Sequence, residues 1–255
     1  MLILLSPAKT LDFESEPKIQ TQTTPALLDE SAKLVKILKK KTPKQIAALM
    51  GVSENLAELN HQRFQDWELP MPHDAIRQAV LAFKGEVYLG LEADRMTEKQ
   101  LLYAQDHLRI LSGLYGVLRP LDAMMAYRLE MGTALKNTRG KDLYAFWGSR
   151  ITDAINDQLA ALKSTDLLNL ASNEYFRSIQ KNKIQAEIIT PVFKDLSNGK
   201  YRVVSYFAKK ARGLMASWVI RKKIENVKKL TTFDGDGYRY DAESSTHKAP
   251  VFLRG

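Results

Sequence analysis

The spacing of apolar and polar positions divides the chain into short segments of two periods. "LILLS" (Leu2 to Ser6) is a continuous apolar run too short for a helix and reads as a buried strand. The polar segment that follows, to about Thr24, has no assignable periodicity. Leu27, Leu28, Leu34, Val35, Ile37 and Leu38 then recur on one face of a 3.6-residue period, which predicts a helix. Lys41-Thr42-Pro43 breaks it. Two short helices are expected on either side of Gly51-Val52-Ser53, with Pro43 at a helix start, Gly51 as a stop and Ser53 as an N-cap.

Further along, "AFKGEVYLGL" predicts a short strand or hairpin, and Thr97 caps a helix running to about Leu108. "RILSG" and "DLLNLAS" read as strands, "LYAFWGSRITDAINDQLAAL" as one amphipathic helix and "NEYFRSIQ" as a short helix. "AEIITPVFKDLSNGKYRVVSYFA" alternates as a hairpin turned at Asn198-Gly199, and a long basic helix is expected from about Ala208 to Val227. Strands that alternate with helices predict a mixed α/β (α+β) chain, a mixed sheet surrounded by helices. No repeat, low-complexity tract or Gly/Ser linker marks a boundary, so a single domain over 1–255 is expected, including a helical hairpin at about 43–60.

Three strand ends are alike: "LLSPAKT", "RILSGLYG" and "LNLASNEY" each leave an apolar strand through a small hydroxyl residue. If the strands are parallel in one sheet, Ser6, Ser112 and Ser172 gather at its carboxyl edge, where open α/β sheets bind ligands. Helix starts there favour an anion. The plainer alternative makes Ser6 and either Ser172 or Asn173 N-caps, with Pro7 at a first helical position.

Composition narrows the chemistry. The 255 residues are 45% apolar and 26% charged, ordinary for a globular chain, and contain no cysteine, which removes disulfides, thiolate metal sites and cysteine nucleophiles. No run of ~18 apolar residues occurs, and "MLILLS" is too short for an export signal, so a cytosolic protein is expected. The net charge of +9 is unevenly spread. Between Ser31 and Ser53 there are six lysines and no acid, and between Tyr206 and Leu230 eight Lys or Arg accompany Glu225 alone. Solvated helix faces and a polyanionic partner both explain such clusters. Lys39, Lys40, Lys41 and Lys44 stand beside the helical hairpin. That hairpin matches either a helix-hairpin-helix that holds phosphates or a helix-turn-helix that reads bases.

"LSGLYGVLRPLDAMMAYRLEMG" (Leu111 to Gly132) has the hydrophobicity of a core element yet carries Arg119, Arg128 and Glu130. Arg119 precedes Pro120 and is pushed toward extended backbone, while alternation in "YRLEMG" puts Arg128 and Glu130 on one face of a short strand. A structural network is one reading. The other is a site in which they join Lys9, Ser172 and Glu174 around a phosphorylated or nucleotide-like ligand. "SPAKT" lacks the glycines of a phosphate-binding loop, although Lys9 can still meet an anion, and Glu174 sits where a helix dipole favours a carboxylate. His61, His73, His107 and His247 are isolated, Asp234-Gly235-Asp236-Gly237 lacks the rest of a calcium loop and reads as a turn, and no metal or cofactor is implied. In the late basic helix Phe207, Ala211, Leu214 and Trp218 share one side, with Lys209, Arg212 and Lys223 opposite. Gly213 within it marks a close approach by another backbone or a ligand, or plain packing.

"LLSPAKTLDF", "LNHQRFQDW", "LSGLYGVLRPLDAMMAYRLEMG", "LYAFWG", "NLASNEYF" and "KKARGLMA", in this order from end to end, resemble the YaaA family of bacterial peroxide-stress proteins. The resemblance implies a cytoplasmic protein made under hydrogen peroxide stress that limits damage from peroxide and unincorporated iron. It also implies a compact α/β fold with a positively charged cleft and a helix-hairpin-helix-like element linked to double-stranded or branched DNA. Carried onto this chain, the cleft residues are Lys9, Thr10, Arg63, Arg119, Arg128, Glu130, Ser172, Asn173, Glu174, Lys210 and Arg212. The hairpin of the family would be Ile46 to Leu59, and the basic clusters and hairpin pattern make Lys39, Lys40, Lys41, Lys44, Gly51, Ser53, Lys209 and Lys223 the expected DNA contacts. One departure is Ala126, where the family is expected to have proline. No nucleophile follows from the resemblance. The alternative to DNA binding is an enzyme of unassigned reaction on a small anionic ligand, for which Lys9, Glu130 and Glu174 are the acid-base candidates.

Overall fold

The computed structural model describes residues 1–16 and 19–255. In chain order its strands are β1 (Leu2–Leu5), β2 (Thr10–Leu11), β3 (Ile76–Gln78), β4 (Phe83–Lys84), β5 (Leu108–Ser112), β6 (Gly116–Leu118), β7 (Ala123–Met125), β8 (Asp166–Asn169), β9 (Glu187–Ile189), β10 (Val192–Ser197), β11 (Lys200–Arg202), β12 (Arg239–Thr246) and β13 (Ala249–Arg254). The helices are α1 (Leu28–Leu38), α2 (Pro43–Met50), α3 (Glu54–Asp66), α4 (Ala79–Ala82), α5 (Glu86–Leu91), α6 (Glu98–His107), α7 (Leu143–Trp147), α8 (Arg150–Ala161), α9 (Asn173–Phe176) and α10 (Ser205–Lys222).

All four residues of β1 are fully buried, as a strand needs when its sheet is covered on both faces. It is the middle of a five-stranded sheet of order β6-β5-β1-β8-β9. β5, β1, β8 and β9 are parallel, and β6 returns antiparallel beside β5. Leu5 pairs with Ile110 and Leu4 with Asn169, so the chain leaves β1, β5 and β8 at one sheet edge. That edge is where Ser6, Ser112 and Ser172 lie, as the three similar strand ends imply. A second sheet, β11-β10-β13-β12, is built around a parallel β10–β13 pair whose inner side buries Phe193 and Phe252 in a stacked contact. α10 packs on both β1 and β10 and joins the two sheets.

Where α10 crosses α5, each helix presents a glycine to the other's backbone. A Cβ on Gly213 would lie 1.8 Å from the Val87 carbonyl oxygen, and one on Gly90 would lie 2.2 Å from that of Lys210. No side chain fits. The close approach anticipated at Gly213 is therefore made by a backbone.

Several local expectations are corrected. In "AFKGEVYLGL" only Phe83–Lys84 is strand; beyond Gly85 the chain is the helix α5, since Val87 and Leu91 are buried one turn apart. The long amphipathic helix is broken into α7 and α8 by Gly148, whose φ of +55° a helix does not admit. Glu187–Ile189 pairs with β8 in the central sheet, and only β10 and β11 form the hairpin, turned at Asn198-Gly199. The last helix runs Ser205–Lys222, stopped by Lys223 in left-handed backbone at φ +50°. Its inward side is Ala208, Ala211, Met215, Ala216 and Val219, while Phe207 is exposed. "YRLEMG" is not a strand and belongs to no sheet; Met131 and Gly132 lie in a turn closed by the Thr133 amide on the Glu130 carbonyl at 3.1 Å. No helix follows Ser6, which excludes its N-cap role. Among the described residues, no helix is long and apolar enough to cross a membrane.

Candidate functional site

The sheet edge opens into a cleft of about 560 Å³. One side is the loop after β1, with Ser6, Lys9 and Thr10; another is Lys84, Gly85, Glu86 and Val87 at the entry to α5. Glu130 and the start of α9, with Ser172, Asn173, Glu174 and Tyr175, close the third side, and Lys209 and Arg212 from α10 face them. The floor is tied together by short contacts. The Tyr88 hydroxyl donates to the Ser6 carbonyl at 3.1 Å, the Ser172 amide donates to Ser6 Oγ at 2.8 Å, and the two serine hydroxyls lie 3.2 Å apart. Burial pushes the Tyr88 phenol well above its ordinary pKa, so it remains a donor. Ser112 is withdrawn from the cleft: it is fully buried, 2.6 Å from the Tyr127 hydroxyl.

The charges are mixed. Glu130 Oε1 is shared by Arg128 Nη2 at 3.0 Å and Lys9 Nζ at 3.3 Å. Glu130 Oε2, Arg128 Nε and Glu86 Oε2 are buried and have no hydrogen-bond partner among the described residues. Glu174 Oε1 accepts from the Gly132 amide at 2.9 Å. Lys84 Nζ lies 3.6 Å from Asp12. Lys209 and Arg212 have no carboxylate within 4.0 Å among the described residues. Arg212 is half-buried, and desolvation alone lowers its pKa. A guanidinium stays charged at any physiological pH, so its uncompensated charge is available to an anion entering the cleft.

The cleft thus brings together Lys9, Thr10, Glu130, Ser172, Asn173, Glu174 and Arg212, with Arg128 behind Glu130. Three anticipated cleft residues lie elsewhere. Arg119 binds Asp122 and the Thr24 carbonyl, Arg63 on α3 donates to Asn60 Oδ1 at 3.5 Å, and Lys210 turns to Asp236 at 3.3 Å. Lys209, expected on an outer face, lines the cleft instead, because residues three apart on α10 share a side with Arg212. Lys84 and Glu86 were missed by sequence reasoning. Their signal was the polar Lys-Gly-Glu interruption of an apolar run.

A second basic feature lies on α1, α2 and α3. Thr42 caps α2 through a reciprocal box with Gln45, and Gly51 ends it in left-handed backbone at φ +61°, with nothing within 4 Å of where a Cβ would stand. Ser53 occupies the N-cap position of α3, but its side chain makes no capping bond. α3 clips the lysine turn in place: Gln65 donates to the Lys39 carbonyl at 2.9 Å, and the His61 ring nitrogen meets that of Lys41 at 3.0 Å. Lys36 and Lys40 border a hollow of about 450 Å³ with Ile37 and Phe146. Lys36, Lys39, Lys40, Lys41 and Lys44 form no ion pair among the described residues. Lys223 instead lies over the Tyr103 ring at 5.6 Å. Among the described residues, no group of three or more His, Asp or Glu is placed to hold a metal ion.

A family model described as "Peroxide stress protein YaaA" matches residues 1–244. The chain belongs to the YaaA family. Relatives include "UPF0246 protein" of Saccharophagus degradans, 52% identical over 255 residues that cover 100% of this chain and 99% of the relative. A "UPF0246 protein" of Shewanella loihica is 52% identical over 254 residues, covering 100% and 98%. Membership in the YaaA family gives the chain a role in peroxide stress.

Proposed function

We propose that the protein acts in peroxide stress by holding the phosphate backbone of double-stranded or branched DNA, with little base specificity, through the lysine turn and helical hairpin of α1–α3. The observation that carries this reading is the run Lys36, Lys39, Lys40, Lys41 and Lys44, which makes no ion pair among the described residues and whose turn is held through its backbone by α3. Lysines without carboxylate partners keep their full charge for phosphates, and the counterions they release drive association. Contacts of this kind position a duplex without reading it. The open backbone at Gly51 and the uncommitted Ser53 hydroxyl suit a phosphate at the start of α3. Glu54 and Glu58 are exposed on α3 and oppose one, which favours approach from the α1–α2 side.

The test is a fluorescence-anisotropy titration of a duplex and a four-way junction with the wild type and a Lys39/Lys40/Lys44→Ala variant whose folding is verified by circular dichroism. Affinity for both DNAs is expected to fall at least about tenfold in the variant. Wild-type binding no stronger than that of an unrelated protein of equal charge overturns the reading.

A second reading concerns the cleft, as a site for a small anionic or nucleotide-like ligand. It is favoured by Arg212, a half-buried guanidinium without a carboxylate partner among the described residues, which lines the same cavity as the Ser6–Ser172 hydroxyl pair.

A further inference from the structure

The cleft lining is not that of a simple polyanion channel. Four cations, Lys9, Lys84, Lys209 and Arg212, face three carboxylates, Glu86, Glu130 and Glu174. Two of those cations are already engaged, Lys9 by Glu130 and Lys84 by Asp12. Only the α10 side, with Lys209 and Arg212, offers positive charge without a described counterion. A phosphate run of many charges would meet the carboxylates opposite. A ligand with one anionic end and hydrogen-bond donors at its other end matches both walls.

The rim adds a third element. Tyr206 is 56% exposed and stands three residues before the cleft-lining Lys209 on α10, which makes the two side chains neighbours on the helix surface, although Tyr206 itself is outside the cleft lining. Its ring meets Phe207 edge-on, with centroids 5.5 Å apart, and Phe207 is in turn covered by the Arg254 guanidinium at 4.5 Å. Tyr206 is thus an outward aromatic face on a braced support. Behind it, the Gly90–Gly213 crossing locks α5 and α10 together, fixing the spacing between Glu86 and the pair Lys209–Arg212.

We infer that the cleft holds one nucleoside monophosphate unit, its terminal phosphate on Arg212 and Lys209 and its base stacked on Tyr206, whether the unit is a free nucleotide or the phosphorylated end of a strand. This rests on the second reading above and goes beyond it in naming the ligand class and the stacking residue. The ribose and base-edge donors face the carboxylate wall of Glu86, Glu130 and Glu174. A cavity of about 560 Å³ accommodates one such unit.

The test is isothermal titration calorimetry of the full chain with four probes: inorganic phosphate, deoxyadenosine monophosphate, a short single strand phosphorylated at either end, and the same strand with hydroxyl ends. The proteins are the wild type, Tyr206→Ala, Lys209→Ala and Arg212→Gln. The nucleotide is expected to bind the wild type about tenfold tighter than phosphate, the worth of one base–aromatic stack. Tyr206→Ala should erase that margin and leave phosphate unchanged, and the Lys209 and Arg212 variants should weaken both probes. Lys209 is exposed, so its variant carries the test if Arg212→Gln does not fold. A phosphorylated strand that matches the free nucleotide, and exceeds the hydroxyl strand, identifies a strand end; tight binding of the free nucleotide alone identifies a metabolite. A nucleotide no tighter than phosphate, or Tyr206→Ala weakening both equally, overturns the inference while the anion site survives. No binding of any probe overturns both, and the hairpin reading is then judged separately by the lysine variant on duplex DNA.

Discussion

Replacing Gly213 by alanine tests whether α5 and α10 meet backbone to backbone. The new Cβ would stand 1.8 Å from the Val87 carbonyl oxygen and 2.8 Å from the Leu91 amide nitrogen. Neither neighbour is a side chain that can rotate away, so one helix must move. Alanine gains about 1 kcal/mol over glycine in a helix interior. Overpacking costs typically about 1–3 kcal/mol, toward the upper end when the obstacle is backbone. The net expectation is a loss of roughly 1–2 kcal/mol or more. Gly90→Ala, which meets the Lys210 carbonyl oxygen at 2.2 Å, should behave alike. Because both changes force the same separation, the double variant should lose less than the sum of the two. Urea unfolding followed by far-ultraviolet circular dichroism reads this as a lower midpoint at unchanged slope. A Gly213→Ala midpoint at or above that of the wild type would refute the backbone contact, and with it the fixed spacing of the cleft walls.

Arg212→Met should raise the urea midpoint, since it removes a half-buried charge without a described partner, and weaken anion binding in the cleft; a lowered midpoint would show that Arg212 has a structural partner. Thr42→Ala should cost about 1 kcal/mol through loss of the capping box with Gln45, measurable by the same unfolding experiment. Glu30 is hydrogen-bonded by Arg139 at 2.5 Å, which holds its carboxyl down at about 2. A folded pKa below the unfolded one contributes stability that is complete above the unfolded value and lost as pH falls toward 2. Glu30→Gln should therefore destabilise at neutral pH and converge with the wild type in acid; a constant difference across that range would contradict the assignment.

The central sheet was legible because its strands are buried on both faces and write themselves as unbroken apolar runs, "LILL" above all. Their similar serine endings located the sheet edge and, through Ser6 and Ser172, the cleft floor. Arg128 and Glu130 meet as their alternation implied, although no neighbouring strand pairs with that segment. Other features depend on tertiary context. The six-residue α5 is too short to show a helical period, so Lys84 and Glu86 went unnoticed at its entry. Glu187–Ile189 and Val192–Ser197 read as one alternating stretch, but they belong to different sheets. Which lysine of α10 faces the cleft is decided by how the helix rotates against α5, and the packing of two glycines sets that rotation.

The proposal that the lysine turn binds phosphates is tested most directly by the salt dependence of duplex binding. Neutralising a phosphate contributes about 0.9 to the slope of log affinity against log salt. If Lys39, Lys40 and Lys44 each contact one phosphate, replacing all three by alanine should reduce the slope by about 2.7, with folding retained. An unchanged slope in the variant would contradict phosphate binding by this turn.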